Sequence, residues 1–265
     1  MAGLILKLLN DNRQSARRFE VVNDANGDVT LYLYDVIVSD DWYGGISAAT
    51  FVQQLAQITA PNIHLRMNSP GGDVFSARAM ELAIREHPSN IVAHVDGVAA
   101  SAMSFVAIAC DKVVMADGAF MMIHRGSCMA WGTGDDLRAT AALLDKVDAS
   151  LVNSYAKKTG QRADDIAAWM AAETWFSAAE AVELGFADEV AADSAPTNAG
   201  AWNLSAYAKS PLASSKPQTI EPPTVPAPDT RQTTPVEHVP PVEPAPKPTV
   251  DIAALQRRLA LSVSL

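Results

Sequence analysis

The sequence predicts an α/β fold over residues 1–190, because strand patterns and helical patterns alternate along this part of the chain. The strand segments are β-branched or alternate polar and apolar residues, and the helical segments repeat apolar residues every three or four positions. Glycine and proline separate the two kinds of segment. Such alternation is typical of βαβ crossovers, and a chain of about 190 residues is long enough to bury one core.

The elements before residue 124 follow one another as strands and helices with clear breaks. A run rich in Val and Tyr follows the turn signal Asn26-Gly27, and Ser69-Pro70-Gly71-Gly72 ends the second strand. The predicted elements are a strand over 29–38, a helix over 47–58, a strand over 63–68, a helix around 75–83, and strands over 91–95, 112–116 and 119–123.

Three helices follow, and the first of them is long for a domain of this size. Its apolar stripe predicts that it packs against a partner surface. Ser177, with Glu180 three residues later, has the pattern of a capping box at the start of the last helix. The predicted bounds are 134–158, 162–170 and 177–184, and a glycine ends the first and the last.

Proline and charge both divide the chain near residue 190. Of the 16 prolines, 13 fall between Pro196 and Pro248. Residues 191–265 carry six acidic and six basic side chains, so the whole formal charge of −10 belongs to the part before them. The predicted organisation is one globular domain over 1–190, a Pro-rich disordered linker over 191–250 and a short amphipathic helix over 251–265.

Composition argues against several classes of protein. An acidic body does not suit nucleic-acid binding, which needs clustered Lys and Arg. No run of about 18 apolar residues predicts a membrane span. The start, Met1–Asn10, is too short for a signal peptide with its flanks. Cys110 and Cys128 fit neither a disulfide framework nor a zinc site, so we expect reduced thiols in a cytoplasmic protein.

Three short motifs are candidates for chemistry. Ser101 follows a strand and stands among small apolar residues at the head of a helix, which suits a nucleophile and also a simple helix cap. Gly71 and Gly72 allow backbone amides to approach a ligand, although an ordinary turn would also use them. His124 ends an apolar strand, either as a core histidine or as a general base. Each motif is weak alone, but their order and spacing are jointly specific.

Together, these motifs resemble the proteolytic subunit of Clp protease. The resemblance covers about residues 29–190. It implies a serine peptidase on the fold shared with the crotonases, built of βαβ units with a long protruding helix. The stretches that carry it are NSPGG at 68–72, GVAASAM at 97–103, MMIH at 121–124 and ETWFSAAEAVELG at 173–185.

The resemblance assigns roles to four of these residues. Ser101 matches the family's nucleophile and His124 matches its general base. The amides of Gly72 and Ala102 match the pair that holds the oxyanion of the tetrahedral intermediate. The implied substrates are proteins and peptides, and no metal or organic cofactor is implied.

The third member of the triad departs from the family pattern. The family's aspartate matches Glu173, whose side chain is one methylene longer, so that its backbone must lie further back. Asp148 on the long helix is a second candidate for the acid. A Ser–His dyad, with Glu173 as a plain surface carboxylate, is the third alternative.

The Pro-rich segment after residue 190 suits the Clp-like proteases of tailed phages and prophages, which mature the procapsid. The ETW block at 173–175 and the stretch DVFSARAM at 73–80 also resemble that group. This interpretation implies capsid, portal or scaffold proteins as partners, cleavage of the chain's own tail, and a place in the bacterial host cytoplasm or the procapsid. The alternative is a cellular Clp subunit with an ATPase unfoldase. Both imply self-association into rings, which are heptameric in the family.

Two other functional classes stay open on the sequence. One is a crotonase-like acyl-CoA enzyme, since that fold uses a similar oxyanion hole. The other is a non-catalytic shell or scaffold component that retains an inactive protease fold. Labelling by a fluorophosphonate, lost on Ser101→Ala, would separate the peptidase from the acyl-CoA enzyme. Self-cleavage on expression, lost on the same change, would separate it from the scaffold component.

Overall fold

A mainly parallel β-sheet is the frame of the protein. The computed structural model describes residues 2–191 and 202–211. The strands are β1 (Arg18–Asn23), β2 (Val29–Tyr34), β3 (Ile37–Val38), β4 (Ile46–Ser47), β5 (Asn62–Ser69), β6 (Asn90–Ala100), β7 (Lys112–Ala116), β8 (Phe120–Ile123), β9 (Thr174–Ser177) and β10 (Glu189–Ala191). The helices are α1 (Ala2–Asp11), α2 (Ala48–Leu55), α3 (Val74–Glu86), α4 (Ala102–Ala107), α5 (Gly134–Thr159), α6 (Ala163–Ala172) and α7 (Ala178–Glu183).

The main sheet has the strand order β1-β2-β5-β6-β7-β10, and β8 and β9 extend it beside the end of β6. The pairs β1–β2 and β8–β9 are antiparallel, and the other pairs of this sheet are parallel. Parallel neighbours need crossover connections, and helices α3 and α4 supply them on either side of β6. The predicted α/β fold of βαβ units is therefore confirmed.

Strand β6 changes its neighbour halfway along its length. Its residues Val92–Val95 pair with β7, whereas Val98–Ala100 pair with β8. Because β6 and β8 are parallel and in register, their carboxyl ends lie side by side. The residues that directly follow them are Ser101 and His124, so the sheet itself brings these two motifs together.

Helix α5 is the long helix of the prediction, with 26 residues. It begins with a capping box at Thr133 and ends at Gly160, whose φ of 72° is the left-handed conformation that favours glycine. Near its end Tyr155 is buried, whereas Leu137 and Leu143 near its start are 45% and 51% exposed. Neither α5 nor any other described helix has the long apolar stretch that a membrane crossing needs.

Most predicted elements lie where the patterns placed them. β7 has the predicted bounds, and the capping box between Ser177 and Glu180 is present. Asp73 is the N-cap of α3, where its carboxylate accepts the Ser76 N–H at 2.7 Å. Helix α1 and strands β1, β9 and β10 were not predicted. In α1 the polar residues Lys7, Asn10 and Asp11 stand only in its second half, so this ten-residue segment shows too little of a helical period to be predicted.

The packed body continues past the predicted boundary at residue 190. Three apolar residues of the predicted linker are buried in a cluster with Leu8 and Leu9 of α1: Trp202, Leu204 and Tyr207. The rest of the predicted linker and the predicted helix over 251–265 lie outside the described residues.

Candidate active site

Ser101 occupies a strained turn between β6 and α4. Its φ of 53° and ψ of −122° make it one of two non-glycine residues with positive φ in the described part of the chain. Such a conformation costs about 1–3 kcal/mol and persists where the surroundings hold it, often at functional sites. The Ser101 N–H donates to the Met122 carbonyl of β8 at 2.8 Å, which fixes the turn. The hydroxyl makes no helix-capping hydrogen bond, so the cap does not explain this serine.

His124 faces the Ser101 hydroxyl. Its Nε2 lies 2.7 Å from Ser101 Oγ, which is hydrogen-bond distance. A neutral imidazole in this position can accept the hydroxyl proton as the serine attacks, which is the geometry required of a general base. The structure thus brings the first two predicted site residues into direct contact.

Burial controls the protonation of His124. The apolar surroundings lower the pKa of the imidazole below its ordinary value of 6.5, while the carboxylates of Glu173 and then Asp148 act in the opposite direction. The ring is therefore neutral at pH 7 and available as a base. The same two carboxylates would stabilise an imidazolium formed during reaction.

The glycines of the NSPGG motif pack directly against the serine turn. A Cβ on Gly71 would lie 2.3 Å from the Ala100 carbonyl oxygen, and a Cβ on Gly72 would lie 1.9 Å from the Ile37 carbonyl oxygen. Gly72 pairs with Ile37 in a parallel β-bridge. The two hydrogen bonds of this bridge join Ile37 to Gly71 and to Asp73, so the N–H of Gly72 is not used in it. Only glycine fits this close approach.

Two backbone amides near Ser101 are available to a ligand. The Ala102 N–H belongs to the first residue of α4, where the helix has no acceptor for it. Gly72 and Ala102 both line the cleft that contains Ser101 and His124. Donors placed in this way can hold a developing oxyanion, which is the role that the family resemblance implies for these two residues.

A cleft with a volume of about 100 Å³ opens beside the Ser101 hydroxyl. Its walls are apolar side chains of α4 and α5, and the first turns of α1 close one side. Residues that line it include Leu4, Phe105, Leu144, Val147 and Leu151. A side chain that enters this cleft exchanges water for apolar contact, so the cleft favours apolar groups.

Glu173 is not in contact with His124 in this structure. It ends α6 in the left-handed conformation, with a φ of 50°. Its carboxylate accepts the backbone N–H groups of Ala208 at 3.1 Å and Lys209 at 2.6 Å. Among the described residues, neither nitrogen of His124 is within hydrogen-bond or ion-pair distance of it. The structure therefore places Glu173 near the base, where its charge acts, without the hydrogen bond of a triad.

Asp148, the second candidate acid, is also engaged elsewhere. Its Oδ1 accepts the Gly126 N–H at 2.7 Å, which ties the segment after His124 to α5. It too makes no described hydrogen bond to the imidazole. The arrangement is a Ser–His pair flanked by two carboxylates.

The segment after residue 201 adds a residue that the sequence did not indicate. The Tyr207 ring lies edge-on against the His124 ring, with 5.5 Å between centroids. The Tyr207 hydroxyl donates to the Pro70 carbonyl of the glycine loop. A signal existed, because Trp202, Leu204 and Tyr207 stand in a proline-free stretch of the Pro-rich segment.

The other candidate side chains make structural contacts. His64 Nδ1 lies 3.0 Å from His94 Nε2, and burial lowers the pKa of His94 to about 4. His87 Nε2 lies 3.1 Å from the Leu55 carbonyl oxygen. Cys128 is exposed at the rim of the cleft.

Known proteins share both the sequence pattern and the fold. The family model of Clp protease matches residues 17–194. Subunit 1 of the ATP-dependent Clp protease from Leifsonia xyli is 28% identical over 54% of this chain and 74% of its own length. The corresponding subunit 1 from Corynebacterium jeikeium is 29% identical over 57% of this chain and 81% of its own length.

A solved structure of a ClpP1 mutant from Listeria monocytogenes superposes with a TM-score of 0.54 at 20% identity, over 61% of this chain and 90% of that one. At this identity the likeness establishes the fold, and the matched family model covers well over half of the chain. The chain belongs to the Clp protease family.

Proposed function

We propose that this protein is a serine endopeptidase in which Ser101 is the nucleophile and His124 is the general base. The observation that carries this proposal is the 2.7 Å contact between His124 Nε2 and a serine hydroxyl on a positive-φ turn. Both groups open onto an apolar cleft. A serine held this way is a common form of activated nucleophile.

The reaction follows from these roles. His124 Nε2 takes the Ser101 proton as Oγ attacks the peptide carbonyl carbon, and the amides of Gly72 and Ala102 donate to the resulting oxyanion. His124 then protonates the leaving amine as the C–N bond breaks. A water molecule, deprotonated by His124, attacks the ester carbon and releases Ser101.

Glu173 and Asp148 supply the negative charge of the site. Both carboxylates favour the imidazolium that forms when His124 holds the serine proton. We propose that Glu173 takes the role of the acid, since its charge has the larger effect on the pKa of His124. Glu173 acts through its charge at a distance and not through a hydrogen bond. The site is thus a Ser–His dyad whose imidazolium is stabilised by two nearby carboxylates.

The substrate that we propose is a phage or prophage capsid or scaffold protein, together with this chain's own tail. The family model ends at residue 194, and the Pro-rich segment follows it. Such a segment has an extended backbone that a protease cleft can bind. Cleavage within it would release the catalytic unit.

A cellular role is the second candidate, because the curated relatives carry the name of ATP-dependent Clp protease subunits. In that role the partner would be an ATPase unfoldase. For either role we propose self-association into rings. The half-exposed Leu137 and Leu143 of α5, with Met129 and Trp131 before it at 62% and 85% exposure, provide an apolar surface for this contact.

Mass spectrometry of the full-length chain tests the proposal. The wild type and Ser101→Ala are purified in parallel and incubated with a fluorophosphonate, and the masses of the chains are measured. We expect one adduct and a shortened tail in the wild type, and neither in Ser101→Ala. A wild-type chain that takes no label would contradict the peptidase. An intact tail on a labelled chain would contradict only the self-processing role.

A further inference from the structure

Residues 202–209, here called the strap, lie against the proposed catalytic residues. Trp202, Leu204 and Tyr207 of the strap are 5%, 0% and 4% exposed. They pack in one cluster with Leu8 and Leu9 of α1. The strap is therefore held by a buried apolar contact, which at this degree of burial dominates over its surface polar bonds.

Polar contacts fix the strap at both of its ends. At its start, the Trp202 indole N–H donates to the Asn68 carbonyl at 2.9 Å, and the Asn203 N–H donates to Asn12 Oδ1 at 2.6 Å. At its end, the Glu173 carboxylate accepts the N–H groups of Ala208 and Lys209. A charged acceptor makes these last bonds the stronger kind.

Tyr207, between these ends, contacts both halves of the proposed machinery. Its ring meets the His124 ring edge-on, at 5.5 Å and an interplanar angle of 74°, and also lies 5.9 Å from the Trp175 ring. Its hydroxyl donates to the Pro70 carbonyl, one residue before Gly71. One side chain thus touches the base and the loop that carries an oxyanion amide.

We propose that Tyr207 is a positioning residue, which holds the His124 imidazole toward Ser101 and holds the glycine loop in place. The strap is then part of the catalytic unit, and the role of Glu173 includes anchoring it. This inference rests on the proposed peptidase function and adds a residue to that site.

The geometry supports this role because His124 lacks the carboxylate hydrogen bond that orients the base in a catalytic triad. Among the described residues, no carboxylate hydrogen-bonds the second nitrogen of His124. Even so, its Nε2 is aimed at Ser101 Oγ at 2.7 Å. The aromatic contact with Tyr207 is what limits rotation of the ring, and edge-to-face pairs have a preferred geometry that can do so.

The strap also limits where the tail can be cut. Cleavage before Trp202 or inside the strap would remove Tyr207 from His124. Self-processing that leaves an active enzyme must therefore occur after Lys209.

The experiment measures the rate of fluorophosphonate labelling as a function of pH on full-length chains. The variants are Tyr207→Ala, Tyr207→Phe and, as the matched control, Tyr32→Ala, which removes a partly buried tyrosine of β2 that lies outside the strap and does not line the cleft. The groups that face His124 and stay unchanged are Ser101, Glu173 and Asp148. Thermal melting of each variant is recorded beside the rates.

We expect Tyr207→Ala to lose about a hundredfold in labelling rate, as a misplaced catalytic group does. Its acid limb should also move to higher pH, because His124 becomes less buried and its pKa rises toward 6.5. Tyr207→Phe keeps the ring and loses one hydrogen bond, so we expect a roughly threefold to tenfold loss with the acid limb unchanged. Tyr32→Ala should keep the wild-type rate and acid limb.

A wild-type rate and pH profile in Tyr207→Ala would overturn the proposal, as would a Tyr32→Ala variant with the same loss of rate and the same pH shift. Where Tyr207→Ala does not fold, Tyr207→Phe decides, and a wild-type rate there would overturn it. A wild-type chain that takes no label, or a Ser101→Ala chain that still takes it, would instead refute the peptidase function itself.

Discussion

Replacing Glu173 by glutamine separates two roles for this carboxylate. In a triad whose acid hydrogen-bonds the base, the amide substitution costs about 10⁴-fold in kcat, because the imidazole is held in the wrong tautomer. Here Glu173 is bound to the amides of Ala208 and Lys209 and is not in contact with His124. The change therefore removes a charge from the surroundings of the base and leaves its tautomer alone, and the oxygen of the glutamine amide still accepts one of the two strap N–H groups.

The size of this effect follows from Coulomb's law. A unit charge beyond ion-pair distance, at an effective dielectric constant near 20, is worth about 1–2 kcal/mol. That corresponds to roughly a tenfold loss in kcat/KM. Because the Glu173 charge raises the pKa of His124, its removal should lower that pKa and move the acid limb of the pH profile to lower pH.

The assay is kcat/KM on a fluorogenic peptide as a function of pH, with Asp148→Asn as the matched control. Asp148 has the smaller effect on His124, so its substitution should produce a smaller shift in the same direction. A loss near 10⁴-fold in Glu173→Gln, with no downward shift of the acid limb, would refute the reasoning. It would show that Glu173 hydrogen-bonds His124 in the working enzyme.

Three further predictions concern the loop, the base and the strap. Gly72→Ala should abolish labelling and lower the melting temperature, because its Cβ would overlap the Ile37 carbonyl at a φ of 146°. Gly118→Ala is the control, because Gly118 has a φ of 82° and open space around it. It should lower the free energy of unfolding only by the backbone strain of about 1–3 kcal/mol and should keep the labelling, so equal losses in the two variants would contradict this account. The wild-type labelling rate should rise with pH through a midpoint below 6.5, since burial lowers the pKa of His124 and only the neutral ring is a base; a midpoint above 6.5 in a rate titration would count against it. Leu204→Ala should lower the free energy of unfolding of the full chain by about 2–5 kcal/mol, measured by denaturant titration, whereas no loss would mean that the strap is not packed.

The parts of the fold that were predicted from sequence are those with a local period or a local cap. β7 and α5 have these signals within their own residues, and the α7 capping box needs only Ser177 and Glu180. Both α1, with ten residues, and the strap are too short to show a clear period. Both owe their place to burial against each other, which involves residues almost 200 positions apart, such as Asn12 and Asn203.

The sequence by itself indicated three residues of the candidate site. Ser101 follows β6, His124 follows β8, and Gly72 follows β5, and each of these positions is set by a local strand end and a turn. Only the tertiary structure decided how they meet. The parallel register of β6 and β8 sets the 2.7 Å contact, while the docked strap binds Glu173 and brings Tyr207 to the base. These contacts join distant segments, and a local pattern cannot encode a distance between them.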